Sequence, residues 1–395
     1  MITDTIYRKA TRSYFFENEI KPILNSQVNS APIVDYPVYI YGAGELGRLA
    51  CDYCNYCGIE IVGFLDKGKA GESFHSNVML NKIYPVYHPE DISLIGKHSV
   101  NVLVAIATLP YSPIFYDLNL IGWKSILPFY AITSIEQEAH PLNNGWAVGA
   151  VGESEFKEIA HICDILEDEE SLLAYKAFIA WHSNYLEVEN LDAIVNPITR
   201  YTIPPVLSAI HNKPGQFVDV GAHQGESVSR LLKAQVDFSD YILIEPDLIS
   251  HEKLKKSIAP AILKQKNVQY LDHVIGSTSD ETVSFFTGLG YCSQICLNGN
   301  EERQTLRLDD LKLSPSYLKI HTEGSELNVL LGAAETITKH RPIIAVSIYH
   351  NRDGLCKTIS YLISQLDNYS FYFRLHSYQG TGAFIYAIPG LSNVN

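Results

Sequence analysis

The run Phe217-Val218-Asp219-Val220-Gly221-Ala222-His223-Gln224-Gly225-Glu226 constrains the fold more than any other stretch of this chain. It reads as a buried strand that carries one acid, ends in a glycine-relieved turn and opens a helix. Gly221 and Gly225 lack a Cβ and reach positive φ, so backbone at this turn can approach a ligand closely. About twenty residues on, Tyr241-Ile242-Leu243-Ile244-Glu245-Pro246-Asp247 supplies a second apolar strand ending in a carboxylate, a spacing that suits the ribose hydroxyls of an adenosine-containing cofactor across two neighbouring strand ends.

A related signal sits near the N-terminus. Strand 37–41 leads into Gly42-x-Gly44-x-x-Gly47, a helix runs from Glu45 to about Tyr56 and stops at Gly58, and strand 60–65 closes on Asp66, where a Rossmann unit keeps its ribose acid. Buried strands at 100–106 and 124–128 complete a doubly wound unit near residue 130. Residues 133–152 read as a connection. Residues 153–181 read as one or two amphipathic helices bracing the second domain, broken near the acids Glu167 to Glu170, which are expected to form a solvated helix start.

From Gln216 the strand and helix alternation resumes through strands ending at Asp219, Glu245 and Leu271. An inserted hairpin is expected between 281 and 311. A strand at 317–320, a helix near 326–336, a strand at 342–348 and a closing antiparallel pair at 370–373 and 383–387 follow. The predicted fold class is α/β, with two doubly wound domains. Their predicted extents are 1–132 for a nucleotide-binding unit, 133–215 for the connection and brace, and 216–395 for the second nucleotide-type fold.

The chain has 395 residues and a formal net charge of -14, which allows two cores and argues against nucleic acid as a partner. No apolar run reaches membrane-spanning length, and the N-terminus lacks a basic region followed by an apolar one, so the expected location is the cytoplasm. The seven cysteines fit a reducing compartment better than a disulfide framework. Cys51, Cys54 and Cys57 fall at helical steps and, like Cys292 and Cys296, are expected in a core.

The two glycine turns differ. Gly42, Gly44 and Gly47 have dinucleotide spacing, whereas Asp219 places an acid at a strand end with wider glycine spacing. An acid there can meet the ammonium of a methionyl group and would repel a pyrophosphate, which favours S-adenosylmethionine in the second domain.

Five ordered blocks carry a more specific likeness: Val218-Asp219-Val220-Gly221-Ala222-x-x-Gly225-Glu226, Ile244-Glu245-Pro246, Leu308-Asp309-Asp310-Leu311, Leu318-Lys319-Ile320-His321-Thr322-Glu323-Gly324-Ser325-Glu326 and Arg341-Pro342-Ile343-Ile344. Over roughly 216–388 the chain resembles the FkbM family of methyltransferases. That resemblance implies a class I fold and methyl transfer from S-adenosylmethionine to a hydroxyl of a sugar or related metabolite. It implies Asp219, Gly221 and Gly225 around the methionyl part, with Glu226 beside them, Glu245 on the ribose and Asp272 near the adenine. Where the family reads Lys-Ile-Asp-x-Glu-Gly, this chain has His321 in place of the aspartate, and Ser347 stands where many members end the next strand with glutamate.

His321, Glu323 and His350 are the candidates for deprotonating or orienting the acceptor, and His321 and Glu323 are also conceivable ligands of a divalent metal. Over roughly 36–110 the chain resembles the small Rossmann domain that precedes sugar acyltransferases, which implies a nucleotide sugar at Gly42, Gly44, Gly47 and Asp66. The resulting expectation is an enzyme that methylates a small-molecule or glycan acceptor, with the oligomeric state open. Two rivals stand beside it: a non-catalytic binding or assembly module, and an NAD-dependent oxidoreductase using the N-terminal turn.

Overall fold

Apolar runs without polar alternation form strands buried on both faces, as a helix-covered parallel sheet requires. In a computed structural model that describes residues 12–26, 34, 37–76, 82–133, 140–142, 146, 148–187, 191–210, 215–258 and 266–390, two such sheets are present. The first contains β1 (Val38–Tyr41), β2 (Ile61–Leu65), β3 (Ser73–His75), β4 (Ile83–Tyr87), β5 (Asn101–Val104) and β6 (Ser125–Pro128). Its order is β3-β4-β2-β1-β5-β6, parallel except for the edge pair β3 and β4.

The second sheet begins with β7 (Gln216–Val220), β8 (Asp240–Ile244) and β9 (Asn267–Leu271). A small sheet then interrupts it, built from β10 (Val274–Ile275), β11 (Thr282–Phe286), β12 (Gln294–Ile295) and β13 (Glu301–Leu306). The hairpin expected there is thus part of a four-stranded sheet. The large sheet resumes with β14 (Pro315–Ile320), β15 (Ile343–Ser347), β16 (Tyr369–Leu375) and β17 (Ala383–Pro389), in the order β16-β17-β15-β14-β7-β8-β9. Only β17 and β16 introduce antiparallel pairs.

Both sheets reverse their strand order beside their first strand, so β1 lies between β2 and β5, and β7 between β8 and β14. Ligand crevices in open α/β sheets form at the carboxyl ends of strands flanking such a reversal. Register sets what stands there. Val220 pairs with Ile244 and with Ile320, so Gly221, Glu245 and His321 leave the sheet at one level. Tyr41 pairs with Leu65 and with Val104, which does the same for Gly42, Asp66 and Ala105.

The helix expected near 326–336 is two helices, Glu326–Leu331 and Ala334–His340. Gly332 is a weak helix former, and the buried Asp309 carboxylate accepts the backbone N–H groups of Glu335 and Thr336 at 3.2 and 2.8 Å, capping a new start. The Leu308 to Leu311 block therefore serves packing.

Helices Glu153–Ile165 and Glu169–Asn184 belong to the core of the second sheet, joined by Phe16, Ile20 and Leu24 from the N-terminal segment. The acids at their junction are not simply solvated. Asp168 caps the second helix through Ser171 N–H at 2.9 Å and pairs at 2.6 Å with Arg374, whose side chain is 7% exposed, while Glu170 meets the same guanidinium at 3.1 Å. Most of the expected connection, 134–139, 143–145 and 147, lies outside the described residues. Cys51, Cys54 and Cys292 are buried as expected, whereas Cys57 and Cys296 are only partly covered.

Two segments join the halves. Leu289 and Cys292 enter the core of the first sheet. Beyond β16, Ser377 Oγ and Tyr378 N–H donate to the Ala107 carbonyl at 2.6 and 3.1 Å, and Gln379 Nε2 donates to the Ile106 carbonyl.

Removing the Asp168 carboxylate leaves Arg374 short of a partner and the helix uncapped. Asp168→Ala is expected to lower stability in urea unfolding by about 2 kcal/mol. Lys157→Ala, which breaks only the exposed pair with Glu153, should cost less than about 0.5 kcal/mol. Equal effects would contradict this account of the brace.

Candidate active site

The carboxyl edges of the two sheets face one cavity of about 600 Å³. That volume lies within the range of small-molecule and cofactor sites. Its walls include Gly42, Gly44 and Asp66 from the first sheet and Gly221, Glu226, Glu245, His321 and Glu323 from the second. Gly47, Asp219, Gly225, Asp272 and His350 lie outside the lining.

Gly221 makes this geometry possible. Its φ is 78°, and a Cβ there would fall 1.8 Å from the His321 carbonyl oxygen, so any side chain would push β7 and β14 apart. Gly47 plays the corresponding part in the first turn, where a Cβ would meet the Gly42 carbonyl oxygen at 1.9 Å.

Asp219 departs from its expected role as a direct contact for the methionyl ammonium. Its carboxylate is fully buried beneath the cavity, 2.7 Å from Lys319 Nζ, and accepts a hydrogen bond from Ser227 Oγ. Burial alone would lower the Lys319 pKa, but the charge and hydrogen bond of Asp219 together with nearby Tyr201 and Glu245 outweigh it and the net shift is upward. Lys319 also donates to the Gly221 carbonyl at 2.5 Å, so Asp219 fixes the turn through Lys319.

Glu245 is buried at the rim of β8 and accepts backbone N–H groups from His223 at 2.7 Å and Asp247 at 2.9 Å. Burial pushes its pKa up to about 7, against those two donors. Glu226 lines the wall and pairs with Arg230 at 2.8 Å. Asp272 differs from expectation. It follows the last residue of β9 with its side chain about half exposed, Arg303 binds its carbonyl, and the neighbouring His273 lines the cavity instead.

The candidates for proton handling form a buried cluster. Glu323 Oε1 lies 3.1 Å from His321 Nε2 and 3.2 Å from His350 Nε2, and His350 Nδ1 lies 2.6 Å from Glu326 Oε1. Burial would strip His350 of its proton, yet the carboxylates of Glu323 and Glu326 push its pKa up to about 10. Burial would also raise Glu323, but the neighbouring imidazolium of His350 and the hydrogen bond from His321 hold it below the usual carboxylate range. Burial lowers His321 to about 4, so at neutral pH it is an uncharged imidazole, within 3.0 Å of the Tyr349 hydroxyl and 3.4 Å of the Tyr201 hydroxyl.

In the first turn, Asp66 turns its carboxylate inward. One oxygen accepts from Ala43 N–H at 2.9 Å, the other from Gly68 and Lys69 N–H at 2.9 and 3.1 Å, while Lys69 Nζ holds the Ala43 carbonyl at 2.7 Å.

Sequence reasoning missed Arg200. Its guanidinium lines the cavity, lies over the Phe384 ring at 5.9 Å, and its buried Nε has no hydrogen-bond partner. Arg200 precedes the methyltransferase blocks by about one strand–turn unit and sits in no motif, so only the tertiary fold brings it here. The left-handed backbones of Tyr201, His223 and Glu323, with φ of 71°, 47° and 51°, are equally invisible in sequence. Strain of this kind clusters at functional sites.

The Methyltransferase FkbM domain profile matches residues 219–373, which contain all five blocks named above apart from Val218. Residues 219–373 are thus identified with the FkbM methyltransferase domain. A crystal structure of the methyltransferase FkbM from Methylobacillus flagellatus KT is 18% identical and superposes with a TM-score of 0.65 over 98% of this chain and 99% of that one, so the two-sheet fold is shared along the whole length. An rRNA methylase from Streptococcus thermophilus (15% identity, 45% of this chain, 88% of that one) and precorrin-6y C5,15-methyltransferase from Geobacter metallireducens GS-15 (12%, 50% and 95%) align with TM-scores of 0.29 each. No curated protein matches the chain. Among the described residues, no helix is long and apolar enough to cross a membrane.

The raised pKa of Glu245 has a consequence for stability. Between pH 4.5, its ordinary value, and about 7, the folded protein keeps a proton that the unfolded chain releases, so stability falls as pH rises through that window. The loss is roughly 3 kcal/mol. Urea unfolding at a series of pH values should show this slope in the wild type and a flatter one in Glu245→Gln; parallel slopes would refute it.

Proposed function

We propose that this FkbM-domain protein is an O-methyltransferase that holds S-adenosylmethionine against the Gly221 turn and a sugar or related hydroxylated acceptor against His321. The observation that carries the reading is the common level of Gly221, Glu245 and His321 at the strand-order reversal, facing one cavity. The residues present fit the cofactor. Gly221 leaves no room for a Cβ, Glu245 stands at the adjacent strand end, and Arg200 supplies a guanidinium for a carboxylate. Glu226 and Glu323 give the wall the negative character that suits a sulfonium.

When bound, S-adenosylmethionine supplies a methyl group on a positively charged sulfur. The protein's share is to align the acceptor oxygen and exclude water, since in-line displacement depends mainly on geometry. His321 is uncharged at neutral pH and offers an acceptor for the hydroxyl proton, but a base held near 4 draws on that proton weakly. Tyr349 and Tyr201 orient the imidazole from its two nitrogens, and His350 acts from behind Glu323.

The acceptor's far end is assigned to the first turn, at Gly42, Gly44 and Asp66, as a nucleotide or nucleotide sugar would require. Arg48 pairs with Glu45 at 3.0 Å and backbone N–H groups occupy Asp66, so a diphosphate at the start of helix Glu45–Tyr56 would meet no unpaired carboxylate. In this reading residues 1–132 address the acceptor, 133–215 brace the fold, and 216–395 carry out the transfer.

Calorimetry with S-adenosylmethionine should show binding that Arg200→Ala weakens about ten-fold or more. With nucleotide sugars as acceptors, release of S-adenosylhomocysteine should fall in His321→Ala while donor affinity stays near the wild-type value. No heat with the donor would sink the proposal, and donor binding without turnover on any acceptor would favour a binding module.

A further inference from the structure

We propose that His321 Nε2, Glu323 Oε1 and His350 Nε2 form a binding site for one divalent transition-metal cation, with an open coordination position facing the cavity. The three donor atoms lie within 4.8 Å of one another, and the two edges to Glu323 measure 3.1 and 3.2 Å. A cation about 2.0–2.2 Å from each nitrogen and oxygen donor places neighbouring donors about 3.0–3.4 Å apart, so these two edges are already at coordination distance. Only the edge between the imidazoles has to close, and their rings stand 5.0 Å apart at 31°.

A cation between the donors would take the place of the Nε2 proton that the His350 imidazolium otherwise holds between the carboxylates, that proton leaving to solvent as the cation binds. His350 Nε2 is buried and makes no hydrogen bond, although Glu323 Oε1 is 3.2 Å away, so the contact is off the line an N–H would take. The opposite nitrogen is held by Glu326 at 2.6 Å, and Glu326 is itself fixed by Thr322 N–H at 2.9 Å, Ser347 Oγ at 3.0 Å and Gly324 N–H at 3.0 Å. A carboxylate behind a histidine in this way orients metal-ligating imidazoles. Ser347 thus finds a use at the position where many family members have glutamate: its hydroxyl steadies the outer carboxylate.

Glu323 reaches its place from a left-handed backbone at φ 51°. His321 and Glu323 line the cavity, and His350 closes the site from behind. Three protein ligands with one side open is the arrangement of metal sites that receive a substrate oxygen. Two imidazoles and one carboxylate suit zinc, cobalt, manganese or iron(II) better than magnesium or calcium, which prefer oxygen donors throughout. Tyr349, whose hydroxyl is 3.0 Å from His321 Nε2, would release that nitrogen on binding.

The placement of an acceptor hydroxyl on this cation rests on the proposed methyl transfer, but the site itself does not. Full-length protein freed of metal with a chelator and titrated with Co²⁺ alone should bind one equivalent and develop visible ligand-field absorption, and Zn²⁺ should displace it while Mg²⁺ does not. Glu323→Gln and His321→Ala should each weaken Co²⁺ binding at least about ten-fold, and Glu326→Gln about ten- to a hundred-fold. Circular dichroism checks that each variant is folded. His321 borders the cavity, so His321→Ala is informative even if changes at His350 unfold the chain. Absence of stoichiometric binding, or affinity unchanged in both folded variants, would overturn the proposal. Donor binding by a protein that takes up no Co²⁺ would remove this site and keep the methyl-transfer reading, whereas Co²⁺ binding without donor binding would do the reverse.

Discussion

The arrangement of the second half depends on one buried ion pair. Lys319 on β14 and Asp219 on β7 meet at 2.7 Å on neighbouring strands, with side chains 3% and 0% exposed. Buried pairs contribute little net stability against apolar residues of the same size, because both charges lose water. The value of this one is positional. Lys319 also holds the Gly221 carbonyl, while the His321 carbonyl fills the space a Cβ on Gly221 would take. Strand register, turn and site edge are thereby locked together at the strand-order reversal.

From that anchor the charges sort by depth. Asp219 and Lys319 neutralise one another beneath the floor, Glu323 and Glu326 share His350 at one side, and Glu245 is satisfied by backbone donors on the other. What remains turned toward the cavity is the negative character of Glu226 and Glu323 together with the guanidinium of Arg200. A site built this way can take a ligand that carries both a cationic centre and a carboxylate without leaving an unmatched buried charge.

Much of the fold was legible because it rests on local pattern. Unbroken apolar runs marked the parallel strands, and the glycine turns marked both sheet edges. The departures have physical causes that local pattern does not contain. Helix 326–336 splits because Asp309, distant in sequence, captures the N–H groups of Glu335 and Thr336. Asp168 looked like part of a solvated acidic run because its partner, Arg374, comes from a strand two hundred residues later. Asp219 was recognisable as a site residue, but its orientation under the floor follows from Lys319, and Arg200 reaches the cavity from a segment without any motif. The replacement of aspartate by His321 was visible in sequence. Its depressed pKa and its contact with the tyrosines on both ring nitrogens required the tertiary structure.

Two sheets that present their carboxyl edges to one cavity divide recognition between separate elements. The Gly221 turn and Glu245 belong to the second sheet alone, while Gly42, Asp66 and the Ile106 to Ala107 carbonyls belong to the first. The segments that join them, around Cys292 and Ser377 to Thr381, are loops that also line the cavity through Tyr291, Ser293, Ser377 and Thr381. Under the proposed assignment, changes in the first sheet alter which acceptor is admitted without disturbing the ion pair beneath the Gly221 turn. The Lys319 and Asp219 anchor keeps Gly221, Glu245 and His321 level whatever side chains stand on the opposite wall.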